Sequence, residues 1–244
     1  MKRTWWYICV TAWMLWAGCK PENRGDCFKG VGDFRAEYRT LPMFDKLRLV
    51  GRVDVYIQID STYTARIEGG ENLLPNIHTT VENGELVVSN DNTCNWVRRF
   101  DTRIAVYVTV PGLIEVTSDG PGLLASLDTL HANQLDVHMK RPGDVQLLVK
   151  AGQVLAHMHG GGDLTLSGSA GVFQVNTVGT GFTHAENLQT VWTYIWQYST
   201  GNVYVRASEE VGAYIYAPGD VYYAGHPKKL TVKREGKGKA YPLE

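Results

Sequence analysis

Three groups of residues in this chain have the types and spacing for chemistry. His157 and His159 lie two residues apart and project to one side of a strand, and His138 stands at the same place one repeat earlier. Three imidazoles within reach of one another would suit zinc or copper, whose sites favour nitrogen ligands. HxH is also a common surface pattern, and no metal or cofactor is assigned on it. Asp144, Asp163 and Asp220 each follow a glycine, and stacked carboxylates could bind calcium or do acid–base work on a polysaccharide. Phe182 and Asn202 interrupt that column, however, aspartate is a routine turn former, and the G-G-x-G-x-D calcium repeat is absent. The third group is aromatic: Trp192, Tyr194, Trp196, Tyr198, Tyr214 and Tyr216. Aromatic faces suit sugar rings, whose axial C–H groups stack on the π cloud while hydroxyls bond at the rim. Their plainer use is cross-strand stacking, which stabilises a sheet by about 0.2–1 kcal/mol per pair. No G-x-S-x-G nucleophile turn and no phosphate-binding P-loop is present, so no catalytic residues are assigned and the chain reads as a non-enzyme.

What must position these side chains is a repeat. A glycine turn returns at Gly122, Gly143, Gly162, Gly181, Gly201, Gly219 and Gly238, in steps of 21, 19, 19, 20, 18 and 19 residues. A fixed period near 20 built of alternating residues around a turn marks a solenoid of stacked β units, each unable to bury its apolar side alone. Aligned on the turns, one column reads Val137, Ala156, Val175, Ile195, Ala213 and the next Met139, Met158, Thr177, Gln197, Ile215. These face inward, and Thr177 and Gln197 require hydrogen-bond partners there. The columns between them face outward: His138, His157, Asn176, Trp196, Tyr214, and Lys140, His159, Val178, Tyr198, Tyr216. Tyr204 and Tyr222 stack in the same way on the strand after the turn. With Trp192 and Tyr194, this makes an aromatic face toward the C-terminal rungs, of the kind that marks a contact surface; cover by the N-terminal half is the alternative.

That half alternates with period two from Leu47 to Ile59, from Thr64 until Gly69-Gly70 breaks the strand, and from Ile104 to Pro111-Gly112, with Asn83-Gly84 as a hairpin turn. The fold expected is all-β: a parallel β-helix or β-solenoid with rungs of about 19–20 residues, its hand favoured as right by the crossover rule. The N-terminal β half is packed on it or continuous with it. The organisation expected is residues 1–18 as signal peptide, 19–26 as lipidated tether, 27–115 as the N-terminal β half and 116–244 as the solenoid.

The N-terminus reads as an address. Lys2 and Arg3 precede an apolar run from Trp5 to Trp16, shorter than the roughly 20 residues that span a bilayer. The run ends Leu15-Trp16-Ala17-Gly18-Cys19, which resembles a bacterial lipobox with Trp16 where leucine is usual; an ordinary secretory cleavage nearby is the alternative. Acyl chains on the Cys19 thiol would anchor a body that stays in water. Lys20 and Glu22 loosely resemble the surface-export signal of Bacteroidetes lipoproteins, while Arg24–Asp26, an RGD tripeptide, is short enough to be chance. Cys27 and Cys94 remain for the body, an even pair compatible with a disulfide in an oxidising compartment or with two unpaired thiols. A formal charge of −1 lacks the basic excess that tracks a phosphate backbone, so no nucleic-acid partner is expected.

Several separated segments agree, in order, with one family. DCFKGVGDF, VDVYIQID, IEGGENLLPNI, NTCNWVR and VYVTVPGLIEV, then the glycine-centred rungs and YYAGHP, make the chain from Cys27 to Gly238 resemble the head GIN domain family of auto-transporter adhesins. The resemblance implies a β-solenoid body, an envelope location and a pairing of Cys27 with Cys94, and it supplies no catalytic residues to carry over. Three functions follow as expectations. The first is an outer-membrane lipoprotein, surface exposed, that binds an extracellular glycan or host surface through Trp192, Tyr194, Trp196, Tyr198, Tyr214 and Tyr216. The second is an envelope scaffold with a protein partner, and the third a polysaccharide-active β-helix enzyme.

Overall fold

The structure is a computed structural model that describes residues 30–92 and 104–243. The expectations for residues 1–26, for Cys19 and for the Cys27 and Cys94 pair lie outside the described residues. In the first half the strands are β1 (Phe34–Thr40), β2 (Lys46–Val50), β3 (Asp54–Ile59), β4 (Thr64–Gly70), β5 (Ile77–Glu82), β6 (Glu85–Asn90) and β7 (Ala105–Val110). The short rungs β8 (Glu115–Asp119) and β9 (Leu124–Ser126) follow, then the long strands β10 (Leu130–Met139), β11 (Val145–Gly160), β12 (Leu164–Gly179), β13 (Thr183–Ser199) and β14 (Val203–Ile215). The last are β15 (Val221–Ala224), β16 (Lys229–Arg234) and β17 (Ala240–Pro242). Among the described residues the one helical element is a 3-10 turn at Leu74–Asn76, so no helix there is long and apolar enough to cross a membrane.

The protein is an all-β solenoid of about 7 turns. Consecutive long strands pair in parallel with a nearly constant offset: Val137 opposes Ala156, Ala156 opposes Val175, Val175 opposes Ile195 and Ile195 opposes Ala213. Every member of that column is buried. Such like-on-like stacking is what the repeat encodes, and each Val or Ile taken from water contributes about 1.5–3 kcal/mol. Across the glycine turn the chain starts a second parallel face, on which Val145, Leu164, Thr183, Val203 and Val221 stack in register.

The turn glycines are required by close approach rather than by backbone conformation. A Cβ on Gly162, Gly181, Gly201, Gly219 or Gly238 would lie 2.1, 2.0, 2.0, 2.3 or 2.1 Å from the carbonyl oxygen of the turn glycine one rung before, and one on Gly143 would lie 2.0 Å from that of Gly120. The ladder also reaches further back than the repeat suggested. Gly143 rests on Gly120, and Gly120 on Gly51, whose φ is +82°. Gly51 therefore splits the alternating run of 47–59 into β2 and β3, which are themselves a rung: β2 pairs in parallel with β8, and β3 with β9.

The N-terminal half is thus continuous with the solenoid, but its layers are not in chain order. β6 and β7 stack on the far sides of β2 and β3, again in parallel. Antiparallel strands then close the end: β5 on β6, and β4 on β7 with β1 outermost. Asn83 (φ 53°) and Gly84 (φ 78°) make the β5–β6 hairpin turn expected of Asn-Gly. Gly69 and Gly70 do not break β4. They continue it by pairing with Arg35 and Phe34 of β1, and the break of Gly69-Gly70-Glu71-Asn72 falls at Glu71-Asn72; Val31 packs where a Gly70 side chain would be, 2.1 Å from its ideal Cβ. At the other end the last strands carry Lys229, Lys233 and Arg234, charges that discourage a further strand from pairing with that edge.

Candidate functional site

The aromatic residues stand on the strands just before the glycine turn, where alternation sends them away from the core. Asn176, Trp196 and Tyr214 are in register, as are Val178 and Tyr198. The rungs bring Trp196 onto Tyr214, ring centroids 5.6 Å apart and planes at 10°, and Tyr198 onto Tyr216, 4.5 Å and 3°. Lys233 lies over the far side of the Tyr214 ring, 5.7 Å from its centroid. Desolvation first, then Tyr198 and Glu235, hold the Tyr216 hydroxyl above the ordinary tyrosine value. Tyr194 points its hydroxyl at Glu210 (3.5 Å), which is ion-paired with Lys229 at 2.8 Å.

Stacking decides what these rings can offer. Strands about 4.8 Å apart force large flat side chains face to face, so Trp196 and Tyr214 occupy one face of each other. At the foot of the ladder Trp196 and Tyr198 have Asn176 and Val178 in register below them, so no ring stacks on those faces. Trp192 opposes Val172 and Glu210, joins no ring stack among the described residues, and is 43 % exposed. Trp196, Tyr194 and Tyr214 are half-buried while Tyr198 and Tyr216 are exposed, so the described N-terminal half leaves this face open.

Beneath it the strand is pinned from inside. Gln197 is fully buried. Its Nε2 donates to the Gly201 carbonyl at 2.6 Å, and its Oε1 accepts from the Thr177 hydroxyl and, at 3.1 Å, from Ser199. Both polar residues of the inward column thus find the partners their burial demands, and they fix the strand that carries Trp196 and Tyr198.

The family described as "Putative auto-transporter adhesin, head GIN domain" matches residues 43–227. The chain belongs to the head GIN domain family. Its solenoid is similar to the crystal structure of a "putative adhesin" from Bacteroides fragilis, with TM-score 0.78 and 22 % identity, covering 86 % of this chain and 97 % of that one. It is also similar to a "putative lipid binding protein" from Parabacteroides distasonis, with TM-score 0.67 and 19 % identity over 88 % and 98 %. A "putative adhesin" from Parabacteroides merdae is similar at TM-score 0.60 and 19 % identity over 88 % and 98 %. No curated protein matches the chain.

In this head GIN domain the other two residue groups have structural work. His138 and His157 stack ring on ring, 5.1 Å apart at 8°. Desolvation first, then His157, pull the His138 pKa below its usual 6.5. Among the described residues no three His, Cys, Asp or Glu side chains converge on a metal-sized space, and His159 does not close the trio. The aspartates after the turns tie one rung to the next: Asp144 Oδ1 accepts from the Asp163 amide (3.0 Å), Asp163 Oδ1 from the Phe182 amide (2.8 Å), and Asp220 Oδ1 from the Lys239 amide (2.8 Å). Asn202, one of the interruptions, does the same for the Asp220 amide at 3.0 Å. An amide oxygen serves there as well as a carboxylate, which is why the column tolerates it.

The head GIN domain also carries a second aromatic ladder, of which only Tyr204 and Tyr222 were expected from the repeat. On the strands after the turn His184 stacks on Tyr204 (5.2 Å, 5°), Tyr204 on Tyr222 (4.9 Å, 11°) and Tyr222 on Tyr241 (5.5 Å, 26°). His184 and Tyr241 each lie at the same offset from the turn glycine as Tyr204, and that spacing was the signal to follow.

Proposed function

We propose that this head GIN domain is a non-enzymatic adhesin of the cell envelope. In this reading residues 1–18 are its signal peptide, Cys19 is lipidated and anchors it to the outer membrane, and Cys27 pairs with Cys94. It binds an extracellular glycan through the pre-turn aromatic face. The observation that carries the reading is the pair of unstacked ring faces of Trp196 and Tyr198 at the foot of the ladder, beside the exposed Trp192. A pyranose laid against those faces meets the half-buried amide side chains Asn176 and Gln174, in register with Trp196 and Tyr194. Amide groups at the rim of an aromatic platform are what a hydroxyl-rich ring needs. Tyr214 and Tyr216 back the platform by stacking behind it. The non-enzymatic part is supported by the aspartates, each of which uses Oδ1 to tie one rung to the next.

A glycan-array screen of the mature chain from Lys20 tests it. Saturable binding that Trp196→Ala weakens by roughly thirty-fold, the factor of a ~2 kcal/mol anchor residue, is the expected result. Binding untouched in Trp196→Ala combined with Tyr198→Ala would remove the aromatic face from the function. No retained glycan, with the chain folded, would favour an envelope scaffold.

A further inference from the structure

A second surface, apart from the aromatic face, has the shape and charge of a binding site. Where each long strand bends from the post-turn face into the next, a trough of about 630 Å³ opens beside a further 540 Å³, the two sharing Lys150 and Ala151. The bend shows in the burial pattern. In β11, Val145, Leu147 and Val149 point inward, then Val154, Ala156 and Met158, so the inward parity changes across residues 150–153. At that corner the rungs place Ala132, Ala151, Ala170, Thr190 and Ala207 in one register column. These short side chains leave the space. The trough runs along the solenoid axis from His131 to Gly225, and six layers at about 4.8 Å give it a length of roughly 24 Å.

Its chemistry is one-sided. Lys150 and Arg206 line it and no carboxylate does, although acids and bases are balanced in the chain as a whole. Lys150 is exposed and makes no ion pair among the described residues. Arg206 donates from Nε to the Glu186 carbonyl at 2.8 Å, which points the guanidinium while leaving its terminal nitrogens for a ligand. Between the two cations stand Ser169 and Gln189, with Ser208 on the strand of Arg206.

We propose that this corner trough binds a linear acidic polysaccharide. An open trough several rungs long fits an unbranched polymer better than a small molecule. Hydroxyl and amide groups between two cations match a chain of hydroxyl-rich rings bearing carboxylate or sulfate. Single-stranded nucleic acid relies on aromatic platforms for its bases, and no Phe, Tyr or Trp lines the trough, His131 at one end being its one ring. A peptide adding as a strand needs a free sheet edge, whereas the strands that carry the middle of the trough, β11, β12 and β13, are paired on both sides there.

The test uses the full chain in detergent, titrated calorimetrically with polygalacturonate, with heparin, with neutral dextran and with a single-stranded DNA of matched charge. The expected result is saturable binding of polygalacturonate or heparin, which tells carboxylate from sulfate, and none of dextran at this site. Lys150→Glu with Arg206→Gln should weaken it at least about tenfold, as should Ala151→Leu, which fills the floor; thermal melting identifies any variant that has unfolded. Trp196→Ala should leave it unchanged, which separates this site from the aromatic face: either can fail alone. Binding of neither polyanion, binding unaffected by the charge variants, or DNA bound as tightly as the glycan would each overturn the proposal.

Discussion

Replacing Gly162 by alanine should be among the most damaging single-methyl changes possible in this solenoid. Its ideal Cβ would lie 2.1 Å from the Gly143 oxygen and 2.6 Å from the Gly143 nitrogen, so the two turns must part by about 1 Å or more to restore ordinary contact. The bonds holding them are Val145 N to Asp163 O at 2.9 Å and Asp163 N to Asp144 Oδ1 at 3.0 Å. Lengthened by an ångström, both pass beyond hydrogen-bonding range. Two lost bonds at about 1 kcal/mol each, with overpacking of about 1–3 kcal/mol that relaxation does not relieve, give a destabilisation of about 3–5 kcal/mol. For a chain of this size that lowers the melting temperature by roughly 10 °C. Gly161→Ala is the control. Its Cβ would meet only the Thr180 hydroxyl oxygen, at 3.0 Å, which can rotate away, so the cost should stay within about 0.5 kcal/mol. Circular-dichroism melting of the two variants beside the wild type decides the matter. Gly162→Ala and Gly161→Ala melting alike would show that the turns stack with more slack than the ladder implies.

Two other perturbations read the interior beneath the aromatic face. Gln197→Leu strands the Thr177 hydroxyl, while Ser199 keeps its 3.0 Å bond to the Gly201 carbonyl, and should cost about 1–3 kcal/mol in urea denaturation; adding Thr177→Val should recover part of it, and a single-variant loss below about 0.5 kcal/mol would show that the network holds nothing. His138 has its folded pKa depressed below 6.5 by desolvation and by His157, against opposing pulls from Glu115 and Asp136. The unfolded chain therefore takes up the proton first, and the stability His138 contributes is complete above about pH 6.5 and lost as pH falls below it. Urea midpoints at about pH 7.5 and 5.5 should fall for the wild type and fall less for His138→Gln; equal falls would contradict the assignment.

Most of the solenoid was legible because its period is carried by residues with a single physical job. Gly143, Gly162, Gly181, Gly201, Gly219 and Gly238 admit no side chain, and the residues at fixed distances from them inherit their register. The columns through Val137 and Met139 followed from that alone. What could not be read this way was the N-terminal end. There the layers depart from chain order, β6 and β7 stacking outside β2 and β3. The Gly51 turn belongs to the same ladder as Gly120, yet 69 residues separate them. A period is a relation between neighbours in sequence, and it vanishes where the neighbour in space comes from elsewhere in the chain.

The site was legible to a lesser depth, for a reason that lies in the side chains. Alternation tells which way Trp196 and Tyr214 point, but not which ring face each presents. Rung spacing settles that, since rings a strand's width apart must stack on one another, and each pair then hides two of its four faces. A long aromatic column is therefore a poorer sugar platform in its interior than at its ends. The residue just past the last ring matters as much as the rings: Asn176 and Val178 put no ring on the lower faces of Trp196 and Tyr198, where another aromatic would have stacked. The corner trough escaped the alternating pattern for the opposite reason. Lys150-Ala151-Gly152 and Ser169-Ala170-Gly171 recur 19 residues apart, but they sit where the inward parity changes, and a search for strict alternation passes over the positions that break it.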